Sequence, residues 1–226
     1  MSLCVSWKRK KELDCDFTKG NITKNLLKFS LPLMAGNLLQ QLYNIADTLI
    51  VGRYLGENAL AAVGSSYTLM VFLTSILSGL CMGSSAYFSM QFGKKDDDRL
   101  KKGIFMSFIV IGIISLAINI AAFTGIDAII WFMRVKGAIV KELMREYLLC
   151  IFSGIPAVFL YNYFANLLRS VGNSVIPLVF LGISAGLNIA LDLLFVIGFK
   201  QEVNGAAVAT VIAQYVSGVG ITVYYA

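Results

Sequence analysis

Of 226 residues, 58% are hydrophobic and 14% charged, and the mean hydropathy is +0.75. A soluble domain carries about 25% charged residues, so there are too few charges here to coat a water-facing surface, and lipid is the expected solvent for most of the exterior. The net charge of +6 lies in short clusters between apolar runs, which suits membrane topology rather than a nucleic-acid-binding face.

The polar leader, residues 1–25, is expected to be partly disordered at its start. It does not read as a signal peptide, because the basic run 8–11 is followed by polar sequence where an apolar core should stand. Six apolar segments follow, roughly 26–52, 59–92, 103–126, 141–168, 175–199 and 205–226. Each reaches the ~20 residues that a helix needs to cross the hydrocarbon core. The expected fold is therefore an all-α membrane protein, a bundle of six transmembrane helices over 26–226. A β-barrel would need ~10-residue alternating strands instead.

In the first segment, Pro32 is expected to loosen or bend the helix. After it, Asn37, Gln40, Asn44 and Asp47 recur at spacings that share one helical face. The second segment holds the small-residue pair Gly79 and Gly83, and the fifth holds Gly182 and Gly186; such spacing lets helices approach closely in lipid. The run Asp96-Asp97-Asp98 reads as a solvated loop. Pro156 lies near or within the fourth helix, and Pro177 can start the fifth. Ser184, Asn188 and Asp192 recur every four residues on the fifth segment, and Thr210, Gln214 and Ser217 form a like stripe on the sixth.

Lysine and arginine placement sets the orientation. The leader, the loop after the second segment and the end of the fourth hold thirteen of the nineteen, including Lys94, Lys95 and Arg169, and the opposite side holds six. Both termini are expected in the cytoplasm of a multi-pass cell-membrane protein.

Two of the thirteen acidic residues, Asp47 and Asp192, lie deep in apolar segments. Placing a carboxylate there costs about 2.5–3.5 kcal/mol on insertion scales, so each is a functional candidate. If the three stripes converge, two carboxylates, an amide oxygen and a hydroxyl surround a small cavity. Hard oxygens suit Na⁺, and in the absence of a metal the repulsion between buried like charges favours proton uptake. Cys4, Cys15, Cys81 and Cys150 form no CxxC pair and histidine is absent. A zinc site, a disulfide framework and His-based catalysis are therefore not expected, and neither an enzyme nor a cofactor is called for.

At several points the sequence resembles one known family. Pro32 leads to Asp47-Thr-Leu-Ile-Val-Gly52, then Gly56 and Ala59-Leu-Ala-Ala62. Arg169-Ser-Val-Gly-Asn173 is followed by Pro177. Asn188-Ile-Ala-Leu-Asp192 is followed by Asn204-Gly-Ala-Ala-Val-Ala-Thr210. These stretches are similar to the multidrug and toxic compound extrusion (MATE) family. The resemblance covers about residues 20–226 and implies one lobe of a two-lobe, twelve-helix transporter. It implies that Asp47, Asn188, Asp192 and Thr210 match the cation site of the amino-terminal lobe, holding Na⁺ if coupling is to sodium. Asn37, Gln40, Asn44, Ser184 and Gln214 are the cavity-lining candidates. The implied activity is Na⁺- or H⁺-driven antiport of bulky, often cationic, organic compounds such as drugs. The implied partners are lipid, those small substrates, and a carboxy-terminal lobe or a second copy. Two alternatives are a non-transporting fragment and a flippase for lipid-linked saccharides of the same superfamily. The flippase would be expected to have a more cationic central cavity.

Overall fold

A computed structural model describes residues 21–226; the leader's basic run, Lys19, Cys4 and Cys15 lie outside the described residues. The described residues contain helices and no strand. In chain order they are α1 (Ile22–Tyr54), α2 (Glu57–Gly93), α3 (Asp97–Thr124), α4 (Ile126–Phe132), α5 (Ala138–Phe152), α6 (Ile155–Ser170), α7 (Val175–Asp192) and α8 (Val203–Tyr225), with a π-helical turn, Leu193–Gly198, following α7.

Local chemistry sets several helix starts. The Asn21 side chain accepts from the Thr23 and Lys24 amides at 3.1 and 3.4 Å, so α1 begins at Ile22, inside the stretch read as leader. Asp96 caps α3, accepting from the Arg99 amide at 3.1 Å and pairing with the Arg99 guanidinium at 3.3 Å. The aspartate run is therefore not a loop. It forms the cap and first turn of a helix that starts six residues before the expected 103, where acidic side chains meet the positive end of the helix dipole.

Helix α1 shows how sequence pattern becomes packing. Leu31, Met34, Leu38, Leu42, Ile45 and Leu49 are all more than half exposed. They form an outward stripe at three- and four-residue spacing, on a different face from Asn37, Gln40, Asn44 and Asp47. The interior is built on α6, nine of whose residues are buried. Phe159, Tyr163 and Phe164 pack with Phe88 of α2 and Phe108 of α3 in an aromatic cluster with ring centroids 5.2–6.2 Å apart. Around α6 stand α2, α3 and α8, while α7 bridges α8 and α1.

The structure corrects three expectations. The fourth segment is two helices: α5 and α6 meet at a 47° bend at Ser153–Gly154, and Pro156 sits in the first turn of α6. The break is stable because its freed carbonyls are taken up. The Asn119 amide donates to the Phe152 oxygen at 2.7 Å, and the Tyr215 hydroxyl donates to the Ser153 oxygen at 2.9 Å. The fifth segment changes pitch after Asp192, with the Phe199 amide reaching five residues back to the Leu194 oxygen at 3.0 Å. Finally, the glycine pairs are not the tight contacts. Gly79, Gly83 and Gly186 have nothing within 4 Å of where a Cβ would stand. A close approach of one helix backbone to another is at Gly218 of α8, where a Cβ would lie 2.5 Å from the Ala157 carbonyl oxygen of α6.

By length and apolar composition, α2, α3, Val175–Gly198 and α8 qualify as membrane spans, and the bent pair α5–α6 makes a fifth. Helix α1 has 33 residues, about 50 Å of helix, but does not reach that apolar threshold. The shortfall comes from its polar face. An average over the helix counts Asn37, Gln40, Asn44 and Asp47 regardless of the direction in which they point.

Candidate functional site

The three polar stripes converge. They line one cavity of about 350 Å³, partly open, that is bordered by α1, α2, α5, α6, α7 and α8. Asn37, Gln40, Asn44 and Asp47 enter from α1, Ser184 from α7, and Thr210, Gln214 and Ser217 from α8. Pro32 lies inside α1, which is helical from Ile22 to Tyr54, and it is not among the lining residues.

Asn188 and Asp192 stand behind the cavity wall, 2% and 0% exposed. Their link to the cavity is Thr210. The Asn188 side-chain amide donates to the Thr210 hydroxyl oxygen at 3.1 Å, and that hydroxyl donates its own hydrogen to the Ala206 carbonyl at 3.0 Å. The hydroxyl thus fixes the Asn188 orientation, and the Asn188 Oδ1 is left with no partner. Both carboxylate oxygens of Asp192, Asp47 Oδ1 and Gln214 Oε1 are likewise buried without one. Buried polar atoms are almost always paired, so a set of buried acceptor oxygens without hydrogen-bond donors sets this region apart. Asp47 and Asp192 lie within electrostatic reach of each other, and Tyr147 of α5 lies within reach of both.

The donors are two carboxylates with neutral oxygens, and among the described residues no group of three or more His, Cys, Asp or Glu is placed to hold a metal ion. Hard oxygens of this kind suit an alkali cation or a proton and not a thiophilic metal. Other stripe members have their hydrogens committed elsewhere. The Ser184 hydroxyl donates to the Ala213 carbonyl at 2.9 Å, tying α7 to α8. The Asn44 amide donates to Gln41 Oε1 at 3.2 Å and to the Tyr67 hydroxyl at 3.5 Å.

Sequence reasoning missed part of the wall. Tyr43, Tyr67, Tyr147 and Tyr161 all line the cavity, as do Thr74, Ser78, Asn162 and Arg169. Tyr43 falls three residues after Gln40 and four before Asp47, so the stripe's own spacing points to it. Arg169 entered the sequence reading as a topological charge and as the start of the stretch Arg169-Ser-Val-Gly-Asn173 but not as a lining residue, yet it belongs to the last turn of α6 and lines the cavity.

The MatE family model matches residues 32–194. The probable multidrug resistance protein YpnP of Bacillus subtilis (strain 168) is 32% identical over 199 residues, covering 88% of this chain and 44% of the relative. The multidrug export protein MepA of Staphylococcus aureus (strain MSSA476) is 31% identical over 215 residues, 92% of this chain and 46% of the relative. A crystal structure of MATE in the bent conformation superposes with a TM-score of 0.84 at 30% identity, over 91% of this chain and 45% of that one. The straight conformation superposes with a TM-score of 0.80 at 29% identity, with the same coverage. The chain thus spans about half the length of the relatives it matches.

Proposed function

Because this chain belongs to the MatE family, the MATE transporters that its sequence resembles, we propose that it is the amino-terminal lobe of a secondary active efflux transporter. In this reading it couples export of organic, often cationic, compounds to inward movement of Na⁺ or H⁺. Asp47, Asn188, Asp192 and Thr210 are the coupling site, and the polar cavity beside them is one wall of the substrate path. The observation that carries the reading is the set of buried, unpartnered oxygens on Asp47, Asn188 and Asp192 next to a cavity lined by Asp47 and Thr210. A bound cation or proton neutralises the acids; what the chain supplies is their placement and the exclusion of water from Asp192.

Coupling requires that the ion prefer one conformation over another. Asp47 and Asp192 sit on different helices, α1 and α7, so relative movement of these helices changes their separation and hence the repulsion that an ion relieves. Drug compounds as substrates are supported by the multidrug names of the relatives, and the family's two-lobe construction calls for a carboxy-terminal lobe or a second copy to complete the path. The flippase alternative calls for a basic cavity, whereas the charged lining residues here are one acid and one base, Asp47 and Arg169.

The test is ethidium efflux from cells expressing the lobe joined to a matching carboxy-terminal lobe, driven by an imposed Na⁺ or proton gradient. Gradient-dependent efflux that Asp192→Asn eliminates at normal membrane abundance supports the reading. Efflux that ignores both gradients refutes it.

A further inference from the structure

Arg169 is the basic residue of the cavity wall, and its Nε is buried with no hydrogen-bond partner. It forms no ion pair among the described residues. Its backbone is held by the turn that ends α6. The Gly172 amide donates to the Arg169 carbonyl at 3.0 Å and the Asn173 amide to the Leu168 carbonyl at 2.9 Å, with Gly172 at φ +91°. The Ser174 hydroxyl then donates to the Phe29 carbonyl of α1 at 3.1 Å. The guanidinium is thus presented from a fixed anchor. A basic residue in a helix's last turn gains from the dipole, but that leaves a buried N–H unsatisfied, which is costly for a charged donor. Its missing complement is an anion.

The opposite charge of the cavity is Asp47. Tyrosines connect the two: Tyr161 lies within electrostatic reach of both Arg169 and Tyr43, and Tyr43 within reach of Asp47. The Tyr161 hydroxyl, on a ring that lines the cavity, spends its hydrogen on the Pro177 carbonyl at 3.1 Å, so toward a further partner its oxygen is an acceptor.

We infer that Arg169 is an anion subsite of the cavity, and that the cavity takes organic ligands carrying a carboxylate at Arg169 together with a cationic centre directed to Asp47. The inference rests on reading the cavity as substrate space, and it narrows the substrate class from cations to zwitterions.

The test uses two dyes with the same cationic ring system, rhodamine 19 with a free carboxylate and rhodamine 6G with that carboxylate esterified. Binding to the purified chain in phosphatidylcholine nanodiscs is followed by fluorescence anisotropy against empty discs. The free acid is expected to bind about tenfold more tightly than the ester, as one charged hydrogen bond implies. Arg169→Gln should remove that preference by weakening the acid alone, and Arg169→Lys should retain part of it, with circular dichroism confirming helical content for both. An acid-to-ester ratio unchanged in a folded Arg169→Gln variant overturns the subsite. Discs that include phosphatidylglycerol separate the two sources of anion. A preference present in phosphatidylcholine but erased by the anionic lipid assigns the guanidinium to a lipid phosphate, which also overturns the solute subsite. Repeating the titrations of the unaltered chain with and without Na⁺ and at lowered pH separates the two readings: an acid preference that Arg169→Gln removes, with no ion response, leaves the subsite standing and counts against the coupling site, whereas an ion response without an acid preference overturns the subsite alone. Binding of neither dye refutes the subsite, while an ion response in that same preparation would leave the coupling site standing.

Discussion

Thr210 illustrates how a neutral residue serves a charged site. Its hydroxyl donates to Ala206 and accepts from Asn188, which leaves the Asn188 carbonyl oxygen free beside Asp192. This division of labour ranks the substitutions. If the proposed coupling site holds, Asp47→Asn and Asp192→Asn each remove a charged ligand, and loss of an interaction of about 1.5–3 kcal/mol weakens cation binding roughly ten- to a hundredfold. Ion-driven efflux should then fall to background, while membrane abundance is unaffected because an amide enters lipid more easily than a carboxylate. Asn188→Ala should be intermediate, and Thr210→Ala milder, since it removes one neutral oxygen. Gradient-driven efflux assays on matched protein levels check the order, and folded aspartate variants that still couple efflux would make these acids structural. The three stripes were legible from spacing, because a helix keeps residues three and four apart on one face, whereas the grouping of Asp47, Asn188, Asp192 and Thr210 as one cation site came from the family resemblance. The second row was not legible. Nothing in the spacing says that Asn188 and Asp192 stand behind the cavity wall while Thr210 fronts it, since that depends on how α7 and α8 rotate against each other. Arg169 was readable as a charge but not as a lining residue, because a guanidinium on three methylenes reaches well away from its own helix position.

At the scale of the elements, the informative departures are the break between α5 and α6 and the contact of α6 with α8. A proline two residues after a glycine hinted at a break in the fourth segment. The donors that make it tolerable, Asn119 and Tyr215, come from helices distant in sequence, so the bend could not be read locally. Small-residue pairs misled for a related reason. GxxxG spacing says that close approach is permitted, and only the packed partner decides where it occurs. Here it occurs at Gly218, and a contrast follows. Gly218→Ala places a methyl against the Ala157 carbonyl with backbone on both sides, which should cost about 1–3 kcal/mol and lower the thermal midpoint of the purified chain in detergent. Gly79→Ala meets open space and should leave the midpoint unchanged or slightly higher through helix propensity. Equal effects from the two would contradict the packing of α6 on α8.

For the whole molecule, apolar segments and the positive-inside bias predicted a helical bundle with both ends on one side. The bundle is observed, and the sidedness expected from charge is open to a direct test. Reporter fusions near residues 97 and 171 should report the cytoplasm, and fusions near 55, 136 and 202 the opposite side; an external signal at 97 would reverse the assignment. The helical count was the part least legible, because α1 carries a polar face along the cavity and α5–α6 bends mid-span. Those same two features bring Asp47 and Tyr147 together with Asp192, so the account stands or falls on whether these acids take up positive charge. Infrared difference spectroscopy of the purified chain in lipid measures this directly, through the carboxyl bands that change when Na⁺ is added or the pH is lowered. The account predicts a buried-carboxyl response to one of these ions that disappears in both Asp47→Asn and Asp192→Asn. A response identical in the unaltered chain and both variants would contradict it.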